Sequence, residues 1–519
     1  MIKKHSIPNF IDYILLIFFS FFINYHYSSL GVLPQDTFAY YDTAYRILHG
    51  AAPFKDYWTV SGPFIDYLQA AFFFIFGVSW KSYILHGSII NSLTAVSFLY
   101  LLKNLDLSRI NSLFYALSFS VLANPSMGVP FPDHYSTFFS LIGVFFFLLA
   151  IKKKNNIFWF FIPVLFFCAF FSKQSPSSYI LIVLFITLGI YVYFSKKIFF
   201  LKYFIISSLL CFLLLFIFFI HYKINFYHFI DQYIMFPKTI AQDRLRNYEI
   251  NFDGLFLQFK FIYLYLIPLI FINLKLIKNS FLLEDCKSLY SISLILLSIV
   301  LIFHQILTKN FIFIFFLIPM LSSLIHINLL NYKKYQKIVS IILISTTFLL
   351  TLKYHLRFNE ERKMLNLENI SLSNYKDSSV IHPDLKGLKW VTREYFLDPN
   401  IELTLIKNSL QKIKEDKSKK MMLSRYLFFS ATLDENLENP SRWPSIGDAS
   451  NPNENNPFHE RYKKFIKDLI ISKKIETLYS TLDSQDDIFT KIFVEKCIET
   501  KVINDFLIKH DIKKCIKQK

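Results

Sequence analysis

The sequence predicts an all-α polytopic membrane bundle, about eleven crossing helices at roughly 20 apolar residues each, with interfacial helices and a small C-terminal α/β domain outside the cytoplasm. Three observations predict it. Apolar residues make up 54 % of the chain and Phe alone counts 61, while charged residues are 18 %, below the roughly 25 % of soluble proteins. Charges are sparse up to about residue 354 and dense after it, which divides the chain into a transmembrane domain, 1–354, and a soluble extracytoplasmic domain, 355–519. A chain of 519 residues is also too long for one globular core.

The crossing runs lie near 9–30, 82–102, 110–124, 134–151, 157–172, 177–195, 199–221, 256–277, 288–307, 311–330 and 337–354. The first follows Lys3 and Lys4 and lacks a small-residue cleavage site, so it stays as an anchor with a cytoplasmic N-terminus. Residues 62–79 are long enough on paper, yet they carry Asp66 and Gln69 and open with Gly62-Pro63. Charge parity decides their place. With 62–79 lying on the outer face as an interfacial helix, Lys103/Arg109, Lys152/Lys153/Lys154, Lys196/Lys197, Lys275/Lys278 and Lys333/Lys334/Lys337 all fall inside. With that stretch crossing, every one of these clusters falls outside. The external side then holds 31–81, 125–134, 222–255 and everything after about 355, in an inner membrane.

The net charge of +18 follows from these loop lysines and not from nucleic-acid binding. No cytoplasmic segment carries a phosphate-loop pattern, which excludes an ATP-driven pump in one chain. The five Cys form no metal-spaced cluster; no metal ligand is assigned, and a divalent ion stays open as a cofactor. Cys497 and Cys515 share the terminal domain and leave one disulfide open.

In the first external loop, residues 34–50 read as a short amphipathic helix. Phe38, Tyr41, Tyr45 and Leu48 form one stripe and Asp42, Arg46 and His49 another, a pattern that suits the headgroup layer. Asp36 suits the N-cap and Gly50 the C-terminal stop. A turn bracketed by Pro53 and Pro63, with Lys55, Asp56 and Trp58, follows at the membrane surface, a good place to hold a lipid headgroup. Two readings stand for each charged residue here: Asp36 caps or reacts, and Arg46 meets headgroups or a phosphate.

Further along, Asp133 follows Pro132 and precedes an apolar run, so it caps that helix or joins the chemistry. His134 reads as interfacial rather than as a metal ligand. Lys173 ends a helix at the outer face, where it snorkels or meets a phosphate. The loop 222–255, with Lys238, Asp243, Arg244 and Arg246, is a solvated connector or a flap over a donor. In the terminal domain, 425–430 and 475–480 read as strands and 384–396, 401–416, 459–472 and 487–498 as helices. The long loop 435–457, with Arg442 and Trp443, reads as acceptor recognition or as decoration.

Asp36, Tyr40, Ala44, Leu48-His49-Gly50, Pro53-Phe54-Lys55-Asp56, Gly62-Pro63 and Phe76-Gly77 together resemble the first external loop of the C-type (GT-C) membrane glycosyltransferases. Within them the pattern is similar to the family 39 protein-mannosyltransferase and aminoarabinose-transferase group, in its bacterial branch. The resemblance covers roughly residues 10–180. Two steps depart from it: Thr37 stands where a second acidic residue follows the Asp, and the Pro-Pro of the turn is Ser61-Gly62-Pro63. The resemblance implies transfer of a sugar from a polyprenyl-phosphate donor to an acceptor hydroxyl on a glycan, lipid or protein. It implies Asp36 as catalytic base and Asp133 as a second active-site carboxylate. Lys55, Lys173 and Arg46 would meet the donor phosphate, and Tyr40, Asp56 and His134 the substrate.

The chemistry suits that set. A phosphate is already a weak base, so its departure needs charge neutralisation more than protonation, and one carboxylate base with one or two cations suffices for an inverting displacement. Glycoside hydrolases, with poorer leaving groups, need paired carboxylates. Two other multi-spanning classes remain as alternatives, a lipid or polysaccharide transporter or flippase, and a polysaccharide polymerase or ligase. Transporters carry polar residues deep in their helices and small-residue packing motifs, against only 11 Gly here.

Overall fold

Each apolar run of the sequence carries a helix. The computed structural model describes residues 10–123, 128–247, 251–277, 286–308, 314–330, 336–444, 450–481, 492–493 and 497–517. The chain runs through α1 (Phe10–Ser28), two helices of the first loop, α2 (Pro34–Leu48) and α3 (Phe64–Phe76), then α4 (Trp80–Lys103), α5 (Arg109–Leu122), α6 (Pro132–Lys153), α7 (Asn156–Phe170), α8 (Gln174–Ser195) and α9 (Leu201–Tyr222). The segment after α9, expected as a loop, is helical: α10 (Phe226–Ile230) and α11 (Phe236–Arg246) flank a π-turn. Then come α12 (Lys260–Ile277), α13 (Cys286–Thr308), α14 (Leu317–Leu329) and α15 (Gln336–Leu356).

Among the described helices, α1, α4, α6, α8, α9, α13 and α15 are long and apolar enough to cross a membrane, seven where the sequence suggests about eleven. The difference is one of length. α5 has 14 residues and α7 has 15, which rise only ~21–23 Å at ~1.5 Å per residue against a hydrocarbon core of ~30 Å. α14, with 13 residues, is shorter still.

The molecule divides into two compact units, and neither is contiguous in sequence. The first is Met1–Ser28, Gly87–Leu215 and Tyr248–Glu368. Here α6 is buried along nearly its whole length, because α7, α8 and α13 cover it. Gly143 lets α7 come close, since a Cβ at that position would sit 2.7 Å from the Phe166 ring. By contrast α9 leaves Leu209, Phe212 and Leu214 exposed, as a helix facing lipid does. Charge gathers at one end of this bundle. Asp12, in the first turn of α1, takes Lys103 at 2.6 Å and Arg109 at 2.8 Å, and Asp106 takes Lys287 at 3.1 Å and Lys152 at 3.9 Å. At the other end of α1, Asn24 donates to Ser88 Oγ (3.0 Å) and to the Gly128 carbonyl (3.3 Å), and the buried Lys363 donates to the Tyr27 carbonyl (2.9 Å).

The second unit is Ser29–His86, Phe216–Asn247 and Asn369–Lys519. The terminal region alone does not make it; the first loop and the 216–247 segment are part of it. Two short hairpins open the C-terminal portion of the chain, β1 (Arg362–Lys363) with β2 (Leu367–Glu368), which belong to the first unit, and β3 (Lys376–Asp377) with β4 (Lys389–Trp390). α16 (Pro399–Glu415), β5 (Lys420–Leu423), α17 (Phe429–Leu433), α18 (His459–Lys473), β6 (Thr477–Thr481), β7 (Glu499–Val502), β8 (Leu507–Asp511) and α19 (Lys513–Lys517) follow. The sheet order is β5-β6-β8-β7, with β5 parallel to β6 and the other pairs antiparallel.

One core joins the three segments: Trp58 of the first loop and Phe236 of α11 pack with Met421, Tyr462, Ile466 and Leu478 of the α/β layer. The helices expected at 401–416 and 459–472 and the strand at 475–480 match α16, α18 and β6. Residues 425–430 are not a strand. Ser424 Oγ accepts from the Tyr426 amide (3.0 Å) and turns the chain, and Phe428 and Phe429 then bury at the start of α17. Residues 384–396 are not a helix either, since a single 3₁₀ turn at Pro383–Leu385 ends at Gly387, whose φ of 96° breaks the run before β4. The helix expected at 487–498 falls largely outside the described residues. Cys497 and Cys515 are joined as a disulfide.

Candidate functional site

Charged side chains sealed among apolar ones mark where a fold has invested in polar chemistry or polar architecture. Each unit holds such a group. In the second unit it is built on α2. Pro34 stands at the first helical position, which its fixed φ suits, and the N-cap is Leu33. The Leu33 amide goes to Thr37 Oγ1 at 3.0 Å. Asp36 is thus not the cap that its spacing offered. It lies half-buried in the first turn, where the positive end of the helix favours a carboxylate. Gly50 stands just past the helix with φ of 88°, the stop expected of it.

From Thr37 to Arg46 every residue of α2 is buried. Asp42 and Arg46 of the charged stripe expected against lipid headgroups therefore face protein, while His49 is exposed, and Arg46, expected at the donor phosphate, is taken up by protein partners. Its guanidinium is wholly buried; Nε donates to Asn436 Oδ1 (3.1 Å), Nη1 to the Asn439 carbonyl (2.6 Å) and Nη2 to the Asp56 carbonyl (3.3 Å), with Glu438 at 3.5 Å. Asp56 is equally engaged. Its Oδ2 accepts from the Ala52 amide (2.9 Å), closing the turn, and Oδ1 pairs with Lys473 at 2.9 Å. Burial pushes the Lys473 ammonium down, but Asp56 and Glu438 outweigh it and hold it above the ordinary lysine value. Tyr40 is buried, with Oη 3.2 Å from Ser61 Oγ and the Arg442 guanidinium 4.9 Å over its ring. Lys55 is exposed and donates to the Tyr222 carbonyl at 3.2 Å.

Arg442 and Trp443, in the loop read as acceptor recognition or as decoration, are seated inside this unit. The Trp58 amide donates to the Pro440 carbonyl (2.8 Å) and the Arg442 amide to the Trp58 carbonyl (3.1 Å), so the loop docks on the first-loop turn through a parallel bridge between Trp58 and Ser441. Arg442 then reaches Asp66 and Ser61 with its guanidinium.

In the first unit the site lies where α6, α8 and α13 meet. The N-cap of α6 is Phe131, with Pro132 at the first helical position. Asp133, only 1 % exposed, presents Oδ2 to Lys173 Nζ at 2.7 Å and Oδ1 to His304 Nε2 at 3.2 Å. Lys173 is the N-cap residue of α8 and 24 % exposed, held to this carboxylate rather than stretched to an interface. His304 Nδ1 lies 2.9 Å from Ser175 Oγ. The entry to α8 is fixed by Ser136, whose Oγ donates to the Lys173 carbonyl (2.9 Å) and accepts from the Ser177 amide (3.1 Å). His134 is buried edge-on to Phe131 and Phe138, both rings 5.9 Å away, and its Nδ1 has no hydrogen-bond partner.

The expected site residues thus fall into two sets, Asp36, Tyr40, Arg46, Lys55 and Asp56 in one unit and Asp133, His134 and Lys173 in the other. His304 and Ser175 carry no expectation from the sequence, although a His within the run 288–307 is the kind of polar residue that seldom stands in a membrane helix without a task. Among the described residues no three His, Cys, Asp or Glu side chains gather as a metal site. Comparison with protein-family models and with curated proteins finds no match for this chain, so the likeness in the first loop rests on that loop's own residues.

Proposed function

We propose that the chain is an integral membrane glycosyltransferase that moves a sugar from a polyprenyl-phosphate donor to an acceptor hydroxyl at the outer face of an inner membrane. The observation that carries the reading is the seat of Asp36. A catalytic base gains from a rigid support and an open approach. Asp36 stands half-buried at the start of α2, while the turns behind it are fixed, Phe38 against Phe428 at 4.7 Å and Arg46 by the bonds described above. The N-cap position itself is Leu33, and Asp36 is the third residue of the helix.

In this reading the Asp36 carboxylate takes the acceptor's hydroxyl proton as the acceptor oxygen bonds the anomeric carbon. The bond from that carbon to the phosphate oxygen breaks on the opposite face, and the electron pair leaves with polyprenyl phosphate. Lys55, exposed in the same loop, is the cation placed to balance the departing charge. Inversion at the anomeric carbon follows.

The test uses full-length protein in nanodiscs with a panel of labelled polyprenyl-phosphate sugars and hydroxyl acceptors. Asp36→Asn is expected to lower release of polyprenyl phosphate by at least ~100-fold, the scale of a lost general base, with melting unchanged. Retained transfer removes Asp36 from the mechanism. Movement of intact lipid across vesicles without bond cleavage favours a flippase, and growth of a polymer favours a polymerase.

A further inference from the structure

A hydroxyl, an imidazole and a carboxylate stand in line in the first unit. Ser175 Oγ is 2.9 Å from His304 Nδ1, and His304 Nε2 is 3.2 Å from Asp133 Oδ1. A nucleophile within hydrogen-bond reach of a base, with the base oriented by a third group, is the signature of covalent catalysis. The geometry points to Ser175 as an acyl-accepting nucleophile, with His304 as its base and Asp133 orienting that base, acting on a carboxylic ester of a membrane lipid.

Burial follows the division of labour. His304 is wholly buried and Asp133 nearly so, while Ser175 is partly open. The backbone supports it too. Ser175 has extended φ and ψ (−120°, 129°) inside the first turn of α8, which breaks the helical line at that side chain. Among the described residues, the other Ser–His contacts set a hydroxyl, not a carboxylate, on the second ring nitrogen. Ser480 meets His510, whose second nitrogen faces Thr500, and Ser340 meets His326, whose second nitrogen faces Tyr115. Neighbouring hydroxyls serve the backbone, Ser136 and Ser177 both donating to the Lys173 carbonyl.

Lys173 completes the electrostatics. The Lys173 ammonium lies 2.7 Å from Oδ2, so Lys173 and His304 take the two oxygens of Asp133 between them. The serine proton passes to Nδ1 only if the resting tautomer carries its hydrogen on Nε2, the nitrogen facing Asp133. The position along the helices fits an ester of the lipid backbone, for Asp133 and Ser175 are each the second residue of their helices and His304 lies near the end of α13.

The step balances as follows. Ser175 Oγ bonds the ester carbonyl carbon while its proton moves to His304 Nδ1. The carbon–oxygen bond to the lipid alcohol then breaks, and the departing alkoxide takes the proton from His304. Water or a second alcohol, deprotonated by His304, releases the acyl group from Ser175.

The test is labelling of full-length protein in nanodiscs by a short-chain and a long-chain alkyl fluorophosphonate, read by mass spectrometry of the digest. One adduct at Ser175 is expected, absent from Ser175→Ala, and slowed at least ~100-fold in His304→Gln and Asp133→Asn. No adduct with either probe, an adduct elsewhere that survives Ser175→Ala, or an unchanged rate in His304→Gln overturns the assignment. If melting shows that either partner variant is unfolded, the Ser175→Ala comparison decides alone. Labelling reads this site independently of sugar transfer, so its failure and that of the Asp36 reading are separate results.

Discussion

Arg442 shows what a single residue does in this molecule. A guanidinium loses its hydration when it is sealed in protein, and the loss is offset only by close partners; here Nη1 and Nη2 have them and Nε has none among the described residues. Here the partners are Asp66, the Ser61 carbonyl and hydroxyl, and the rings of Tyr40 at 4.9 Å and Trp443 at 5.5 Å. Asp66 depends on it in turn, with Thr43 Oγ1 as its other donor at 2.5 Å. Removing one charge strands the other, so Arg442→Met is expected to cost about 3–5 kcal/mol. Replacing both, as Arg442→Met with Asp66→Leu, is expected to recover most of that loss. Thermal unfolding of the single and double variants measures both; an Arg442→Met protein as stable as wild type would mean that the pair is solvated. Arg46 sits in the same kind of seal, so its truncation is expected to lower the yield of folded protein rather than to alter donor affinity alone.

At the scale of elements, the junction between α16 and β5 makes a pH-sensitive joint. Asp416 accepts from Tyr479 Oη at 2.7 Å, Lys509 Nζ at 2.6 Å and the Ser418 amide at 2.9 Å, tying that junction to β6 and β8. Burial pushes its carboxyl up, but Lys509, Ser418 and Tyr479 outweigh burial and hold it well below the usual carboxylate range. A depressed folded-state value stabilises the fold above the unfolded pKa of ~4, and that stability is lost as pH falls toward the folded value. The melting temperatures of wild type and Asp416→Asn are therefore expected to differ most at neutral pH and to converge below about pH 4. A gap that stays constant from neutral pH to pH 3 would count against the joint. Elements of this kind were legible only in part. Periodicity placed α16 and α18, because each buries a regular face, and a short apolar run placed β6, which is buried on both faces. It misplaced 425–430, where aromatic density signalled a strand but served α17 and the core around Phe428. α2 was legible as a helix and Gly50 as its stop, yet not its surroundings. A stripe of Asp42, Arg46 and His49 reads the same whether it meets headgroups or Asn436 and Glu438, because those partners lie about 390 residues away in the chain. His304 was hidden for the opposite reason, as a single polar residue in a run whose average is apolar.

On the scale of the whole molecule, three segments far apart in sequence share one core, and a shared core cannot be divided by a bilayer. Residues 29–86, 223–247 and 369–519 are therefore expected on one side of the membrane. The outer side is the one expected. The Cys497–Cys515 disulfide persists in an oxidising compartment and is reduced in the cytoplasm. The lysines and arginines gathered around Asp12 and Asp106 are expected in the cytoplasm by the rule for short basic loops. Single cysteines at Lys55, Glu460 and Lys153, placed in a chain whose Cys168, Cys211 and Cys286 are replaced by Ala, test this. Lys55→Cys and Glu460→Cys are expected to react with a membrane-impermeant maleimide on intact spheroplasts, since both side chains are exposed. Lys153→Cys is expected to react only after permeabilisation. Labelling of Lys55→Cys and Glu460→Cys from different sides would break the shared core. Labelling of all three from outside would keep the core but reverse the charge argument, and with it the side on which Asp36 would have to find a lipid-linked donor.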